Sequence, residues 1–367
     1  KYNSGLFYFQ KERGRPENPD ELTLNVVVDD APLRYILHSL YYPLCPYEFS
    51  VLPAEILGNV YEQFLGSVIQ VSPGRRTKVE QKPEVKKAGG IYYTPDYIVD
   101  YIVKNTVGRL CENKTPKEIE RLKILDPACG SGSFLLGAYT YLLDYHRDWY
   151  VANEPAKYTK QIYQFKADQW HLTIAEKKKI LLNNIFGVDI DSQAVEVTKL
   201  SLLLKVLEGE NKETVGQVYK MFHERALPDL GNNIKCGNSL IGPDFYENKD
   251  SDSIDPGEYR RINAFDWHAE FPEIFNRKNT GFDAVIGNPP YIKIQKIQEY
   301  NPLAVQILKD NYESAKCGNY DIYVVFIEKG ANLLCRNGYL GFIAPHKFFN
   351  SGYGRNLRSF LSSQKFR

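Results

Sequence analysis

The sequence predicts an α/β fold in which a mostly parallel sheet is covered by helices on both faces. From about residue 91 onward, short apolar runs alternate with helical periodicities. Turns rich in glycine or proline follow several of these runs directly, as in open sheets that bind ligands at the carboxyl ends of their strands. The 367 residues are 43% hydrophobic and 25% charged, which is typical of a globular protein.

The first 90 residues differ from the rest. Apolar residues recur three and four positions apart within 31–40 and again within 53–65, so residues 1–70 predict a small helical domain. Residues 71–90 are polar and basic and contain two prolines, which predicts a linker or exposed loop. We expect the α/β domain to span residues 91–367.

Within that domain the strands and helices alternate. The predicted strands are 122–126, 184–189, 233–236, 282–286 and 338–344. The predicted helices are 133–145, 192–207 and 320–334. Residues 147–172 predict an insertion, and residues 247–281 predict a surface loop before the fourth strand.

Composition excludes several classes of protein. No apolar run approaches the roughly 20 residues that cross a bilayer, and there is no signal peptide, so we expect a cytoplasmic protein without a membrane segment. The six cysteines include no C-x-x-C pair, which predicts reduced thiols and no metal site. The net charge is only +1, but basic residues concentrate in 71–90 and in 341–367, and the latter stretch has no acidic residue. Such stretches fit either a DNA-binding face or a solvated surface.

A candidate cofactor site follows the first strand. The segment Asp126-Pro127-Ala128-Cys129-Gly130-Ser131-Gly132 lies between a strand and a helix, where glycines let the backbone turn tightly and approach a ligand. Neither a lysine nor a third glycine follows in the spacing of a nucleotide-phosphate site. A carboxylate before the turn therefore favours a cationic amino-acid ligand.

Two later strand ends extend this site. Asp189 ends the second strand, where an acid accepts hydrogen bonds from ribose hydroxyls. Asn238 follows the third strand and could bond an adenine edge.

The candidate catalytic loop, Asn288-Pro289-Pro290-Tyr291, follows the fourth strand directly. The prolines stiffen the loop, so the Asn288 side-chain oxygen and the Pro289 carbonyl can stand as two fixed acceptors. Acceptors on both hydrogens of an aromatic amine would free its lone pair to attack a sulfonium methyl group, a form of preorganised electrostatic catalysis. Tyr291 offers an aromatic face for a base extruded from the duplex.

Taken in order, these blocks resemble the gamma-class N6-adenine DNA methyltransferases. They resemble more closely the methylase region of type IIG restriction–modification enzymes and related phage-defence methyltransferases. The resemblance implies a Rossmann-like sheet that binds S-adenosyl-L-methionine and a double-stranded DNA partner with a flipped adenine. It extends the cofactor site to Tyr93, Thr94 and Pro95 near the methionine end, and to Ile190 and Ser239 near the nucleoside.

The resemblance also implies parts that this sequence does not display. Members of the family continue with further strands of the sheet and a target-recognition domain, and a type IIG enzyme carries a nuclease upstream, so we expect a larger parent protein. Three alternatives remain open: a protein-glutamine or ribosomal-RNA methyltransferase with the same loop, a non-enzymatic fragment with a structural or DNA-binding role, and transfer to N4 of cytosine instead of N6 of adenine.

Overall fold

A computed structural model describes residues 25, 27, 29–41, 43–45, 56, 67–71, 77–81, 94–166, 169–210, 227–247, 262–316 and 318–363. The strands are β1 Ser67–Val71, β2 Thr77–Gln81, β3 Ile124–Asp126, β4 Ile162–Lys166, β5 Gln169–Leu172, β6 Ile185–Asp189, β7 Ile234–Cys236, β8 Phe282–Gly287 and β9 Leu334–Phe342. The α-helices are α1 Asp30–Ser39, α2 Asp96–Val103, α3 Pro116–Ile119, α4 Ser133–Ala152, α5 Ile174–Asn184, α6 Ser192–Leu207, α7 Asp244–Glu247, α8 Trp267–Glu270, α9 Pro272–Phe275, α10 Ile294–Tyr300, α11 Pro302–Asn311, α12 Tyr323–Leu333 and α13 Arg355–Ser362. Helix α2 continues through the π-helical turn Lys104–Gly108 into Arg109–Cys111.

Five strands form one sheet in the order β7-β6-β3-β8-β9, and every neighbouring pair is parallel. The chain moves outward from β3 through β6 to β7, then crosses back over β3 to β8 and continues to β9. This reversal between β3 and β8 is a topological switch point, where open α/β sheets bind ligands beyond the carboxyl ends of the strands. The predicted parallel sheet is confirmed.

Helices cover both faces of this sheet because its strands are apolar on both sides. Along β8, Ala284 and Ile286 pack into the core that α2, α4, α5 and α6 share. Phe282 and Val285 point the other way and pack against Trp267 of α8 and its neighbours. All six residues of β8 are buried, which fixes the position of the loop that follows it.

Several predicted elements agree closely with the structure. Helix α6 has the predicted bounds of 192–207, and β6, β7 and β8 lie within one residue of their predicted ends. Helix α1 confirms the helical prediction for 31–40, whereas the predicted helix at 53–65 lies outside the described residues except for residue 56. The fifth sheet strand starts earlier than predicted, at Leu334.

Three local predictions are wrong. Helix α4 does not end near residue 145 but runs to Ala152, because Tyr150 is buried and its hydroxyl donates to Glu176 Oε1 at 2.7 Å. Residues 77–81 are not loop, since β2 pairs with β1 in an antiparallel hairpin. The described part of the predicted surface loop, 262–281, contains α8 and α9 with buried Trp267 and Ile274.

The predicted insertion carries its own small structure. After α4 ends, the chain forms a 3-10 turn at Pro155–Tyr158 and then the antiparallel pair β4–β5. Ile162 and Leu172, at the base of that pair, are buried in the same core as α4. Within the described residues, no helix combines the length and the apolar character needed to cross a membrane.

Candidate active site

The glycine-rich turn after β3 has the backbone that the sequence predicted. Gly130 and Gly132 have φ values of 53° and 89°, in the left-handed region that favours glycine. A Cβ on Gly132 would lie 2.9 Å from Thr198 Cγ2, so a larger residue would also clash with α6. The Thr198 hydroxyl donates to the Gly130 carbonyl at 2.8 Å, which ties the turn to α6. The turn is therefore a rigid cradle at the carboxyl edge of the sheet.

Asp126 lies below this turn with only 2% of its surface exposed. Its Oδ1 accepts a hydrogen bond from the Ala128 amide at 3.0 Å. Burial raises the pKa of Asp126 to about 8, against the effect of that hydrogen bond, and the charge of Asp189 raises it further. A buried carboxyl of this kind becomes ionised when a cationic group binds beside it. It is thus suited to an ammonium ligand, and the binding of such a ligand here stays a prediction.

The carboxylate of Asp189 binds the same turn from the neighbouring strand. Its Oδ2 accepts from the Gly130 amide at 2.8 Å, and its Oδ1 accepts from the Asp191 amide at 2.9 Å. Burial raises the pKa of Asp189 as well. A carboxylate has about four lone-pair sites, so it can still accept from hydroxyl groups. The next side chain, Ile190, is 54% exposed and presents an apolar surface beside Asp189.

Asn238 and Ser239, after β7, hold neighbouring loops together. Asn238 accepts from the Leu240 amide at 3.1 Å and donates to the Ile262 carbonyl at 3.2 Å. The Ser239 hydroxyl donates to the Pro127 carbonyl at 2.5 Å. Both residues therefore shape the cradle through bonds within the protein. A contact between Asn238 and an adenine edge stays a prediction.

The Asn288 side chain, directly after β8, is held from two sides. Its Nδ2 donates to Thr94 Oγ1 at 3.1 Å, and its Oδ1 lies in hydrogen-bond contact with the Tyr291 hydroxyl. That hydroxyl is also 3.0 Å from the Ile343 carbonyl, just beyond β9. Pro289 is buried and Pro290 half-buried, so the loop is stiff in its backbone as well as in its side chains.

The Tyr291 ring is half-buried and packs edge-to-face on Tyr323, with ring centroids 6.0 Å apart. Tyr323 in turn packs on Phe348, and Phe348 stacks on Phe349 at 4.2 Å. An aromatic path therefore leads from the catalytic loop to Phe349, which is 60% exposed. The sequence predicted an aromatic face at Tyr291 for an extruded base but did not predict this path.

Exposed side chains beside Phe349 are basic or neutral. His346, Lys347 and Asn350 are exposed, and the sequence from 341 to 367 has no acidic residue. The Arg358 guanidinium, however, turns inward and donates to the Phe348 and Ser351 carbonyls at 2.5 and 2.9 Å. Arg358 therefore has a structural role, because its hydrogen bonds stabilise the turn that carries Lys347 and Phe349.

One unpredicted residue joins the two halves of the site. A Cβ on Gly287 would lie 2.5 Å from Asp126 Oδ1, so the strand end before Asn288 and the end of β3 can meet only at a glycine. The sequence signal that could have identified Gly287 is its position directly before the Asn-Pro-Pro-Tyr loop. Of the predicted site residues, the structure brings together Thr94, Asp126 and Asn288 around this point, whereas Tyr93 lies outside the described residues.

Comparison with known proteins gives two family matches. Residues 53–226 match a family model described as N-6 DNA Methylase, and residues 183–367 match one described as Eco57I restriction-modification methylase. The chain is 35% identical to the type II restriction enzyme and methyltransferase RM.Eco57I of Escherichia coli, covering 100% of this chain and 33% of that protein.

Two more distant relatives agree with these matches. The putative type II restriction enzyme and methyltransferase RM.MjaORFECS2P of Methanocaldococcus jannaschii is 24% identical, covering 84% of this chain and 35% of that protein. The adenine-specific methyltransferase PglX of Streptomyces coelicolor is 25% identical, covering 74% of this chain and 20% of that protein. The chain thus spans about a third or less of the length of these relatives.

Proposed function

The chain belongs to the Eco57I restriction-modification methylase family, and from this premise we propose that it is an S-adenosyl-L-methionine-dependent DNA methyltransferase acting on N6 of adenine. The observation that carries the proposal is the clamped Asn288 side chain beside the buried carboxyl of Asp126, at the switch point of the sheet. An acceptor for an amine and a partner for an ammonium ion meet there on adjacent strands.

The residues of the cradle fit S-adenosyl-L-methionine. Asp126 would hold the ammonium group of the methionine part, with Thr94 and Pro95 near it. Gly130 lies within the cradle from Pro127 to Gly132 and has no Cβ. A Cβ placed there would meet no atom within 4 Å, so this position leaves open space for a ligand. Asp189 would accept from the ribose hydroxyls, and Ile190 would cover one face of the adenine. When bound, this cofactor supplies an electrophilic methyl group on sulfur.

The protein's part in the transfer is to prepare the amine. The exocyclic nitrogen of adenine is a weak nucleophile because its lone pair is delocalised into the ring. The Asn288 oxygen and the Pro289 carbonyl would accept its two hydrogens and so keep the lone pair available for attack. Because both acceptors are fixed before the base arrives, no reorganisation is needed at the moment of reaction. Tyr291 would stack on the base after it leaves the duplex.

Double-stranded DNA is the proposed partner, and the surface beside the catalytic loop supports it. Lys347 can contact a phosphate, and phosphate contacts supply most of the sequence-independent affinity for DNA. Exposed Phe349 can stack on bases or insert between them, as apolar side chains do in complexes with distorted duplexes. Enzymes that do chemistry on a base take it out of the duplex stack, so a wedge next to the acceptor loop fits this chemistry.

We further propose that the catalytic domain begins near residue 91, after an N-terminal helical domain and a connecting segment that includes the β1–β2 hairpin. The curated relative named as both restriction enzyme and methyltransferase is about three times as long as this chain. That difference in length leaves room for a nuclease and a target-recognition domain in the same parent protein. Such a protein would work in a restriction–modification or phage-defence system in the cytoplasm.

Methyl transfer from labelled S-adenosylmethionine tests the function. The chain should label duplex DNA, and nucleoside analysis should find N6-methyladenine. Asn288→Ala should lower the rate about 100-fold or more while S-adenosylhomocysteine still binds. Label on protein or RNA alone would contradict a DNA substrate, and N4-methylcytosine would contradict the choice of base.

A further inference from the structure

One hydrogen bond joins two segments for which the sequence predicted different roles. Thr94 belongs to the block expected near the methionine end of the cofactor, whereas Asn288 belongs to the catalytic loop. They are 194 positions apart, yet Asn288 Nδ2 donates to Thr94 Oγ1 at 3.1 Å. Only 5% of Thr94 is exposed, so water has little access to replace this bond.

The direction of this bond has a chemical consequence. A side-chain amide carries an acceptor oxygen on one side and two donor hydrogens on the other. With Nδ2 bound to Thr94, the oxygen of Asn288 lies on the side of Tyr291. If the amide turned over, it would offer hydrogens to an amino group that needs an acceptor. The hydroxyls of Thr94 and Tyr291 hold the Asn288 amide between them, so turning the amide out of its plane breaks both hydrogen bonds.

Thr94 is itself held rigidly. It directly precedes Pro95, whose φ of −59° is set by its ring, at the start of α2. Val99 and Val103 of α2 are buried. Val99 fits where Gly137 of α4 has no side chain, since a Cβ there would lie 2.4 Å from Val99 Cγ1. Helix α2 is thus fixed on α4, and the hydroxyl group stands at a set position against the end of β8.

We propose that Thr94 is a positioning residue for catalysis, whose hydroxyl holds the plane of the Asn288 amide in place for the substrate amine. This inference deepens the proposed function and rests on it. It assigns the Thr94 side chain to the catalytic loop, in addition to any contact its backbone makes with the cofactor. Supporting groups of this kind matter because a small misplacement of an acceptor loses much of its effect.

Thr94→Val is the informative variant because it removes the hydroxyl and keeps the shape. We expect kcat for DNA methylation to fall about 10-fold or more, with KM for S-adenosylmethionine and Kd for S-adenosylhomocysteine within about twofold of wild type. Thr94→Ser restores the hydroxyl and should recover most of the loss. The matched control is Thr106→Val, since Thr106 is equally buried at 5% but donates within its own helix, to the Ile102 carbonyl.

A double variant separates positioning from a direct role. In an Asn288→Ala background, Thr94→Val should cause no further loss of kcat, because its effect runs through the missing amide. Independent losses that multiply would overturn the proposal. So would a Kd for S-adenosylhomocysteine that weakens as much as kcat falls, since the hydroxyl would then serve the cofactor.

A spectroscopic readout keeps the inference distinct from the proposed function. The side-chain amide of Asn288 can be identified in nitrogen-15 spectra of the 367-residue chain by its loss in Asn288→Ala. In Thr94→Val its hydrogens should exchange with water about 10-fold faster, and in Thr106→Val they should not. Unchanged exchange in Thr94→Val would overturn the positioning role. A wild-type chain that shows the protected amide but methylates no DNA would contradict the proposed function alone.

Discussion

The buried carboxyl of Asp126 should make cofactor affinity depend on pH. Its pKa is raised by burial from an ordinary 3.8 to about 8. An ammonium ligand binds the ionised carboxylate, so at neutral pH the folded protein must first release a proton from Asp126. Affinity for S-adenosylhomocysteine should therefore rise with pH toward about 8.

The pKa fixes the size of this effect. The ionised fraction of a carboxyl with a pKa of about 8 is about one half at pH 8 and about one hundredth at pH 6, and the apparent Kd varies as the inverse of that fraction. Binding should thus weaken about 50-fold between these two pH values. The free energy of unfolding of the ligand-free protein should depend on pH in the opposite direction. Between about pH 4 and about pH 8 the folded state retains the proton on Asp126 that the unfolded state has lost, so stability should fall as pH rises through this range.

Isothermal titration calorimetry with S-adenosylhomocysteine from about pH 6 to about pH 8 measures this dependence. Asp126→Asn keeps the shape but cannot ionise, so its weaker binding should be nearly independent of pH in this range. An affinity that stays flat in the wild type, or a slope that persists in Asp126→Asn, would refute the assignment of Asp126 to the ammonium group.

Three further predictions concern packing and the DNA surface. Gly287→Ala should destabilise the chain by about 1–3 kcal/mol in chemical denaturation, because its Cβ would lie 2.5 Å from Asp126 Oδ1 at a φ of 153°. Gly352→Ala is the control, since a Cβ there meets nothing within 4 Å. Lys347→Gln should weaken DNA binding and lower the slope of log K against log salt by about 1, and an unchanged slope would exclude a phosphate contact. Phe349→Ala should weaken DNA binding without changing that slope, and equal binding by the variant would remove Phe349 from the interface.

Local patterns predicted the elements whose ends are set locally. The start of helix α6 is set locally, because Asp191 caps its first turn by accepting from the Gln193 amide at 2.9 Å. Helix α4 was predicted too short because its last turns are stabilised from outside, by the contact of Tyr150 with Glu176. No residue near 145 signals that contact.

The active site likewise combines features that the local sequence sets with features that depend on tertiary packing. The sequence by itself determined which residue types stand at the strand ends, and the parallel sheet then placed Asp126, Asp189 and Asn288 along one edge, because carboxyl ends of parallel strands meet there. Only the tertiary structure decided that Asn288 is held by Thr94 and that Gly287 lets two strand ends meet. The physical reason is that a periodicity or a motif constrains the backbone over a few residues, whereas a bond across 194 positions exists only after α2 has packed on α4 and β8 has paired with β3.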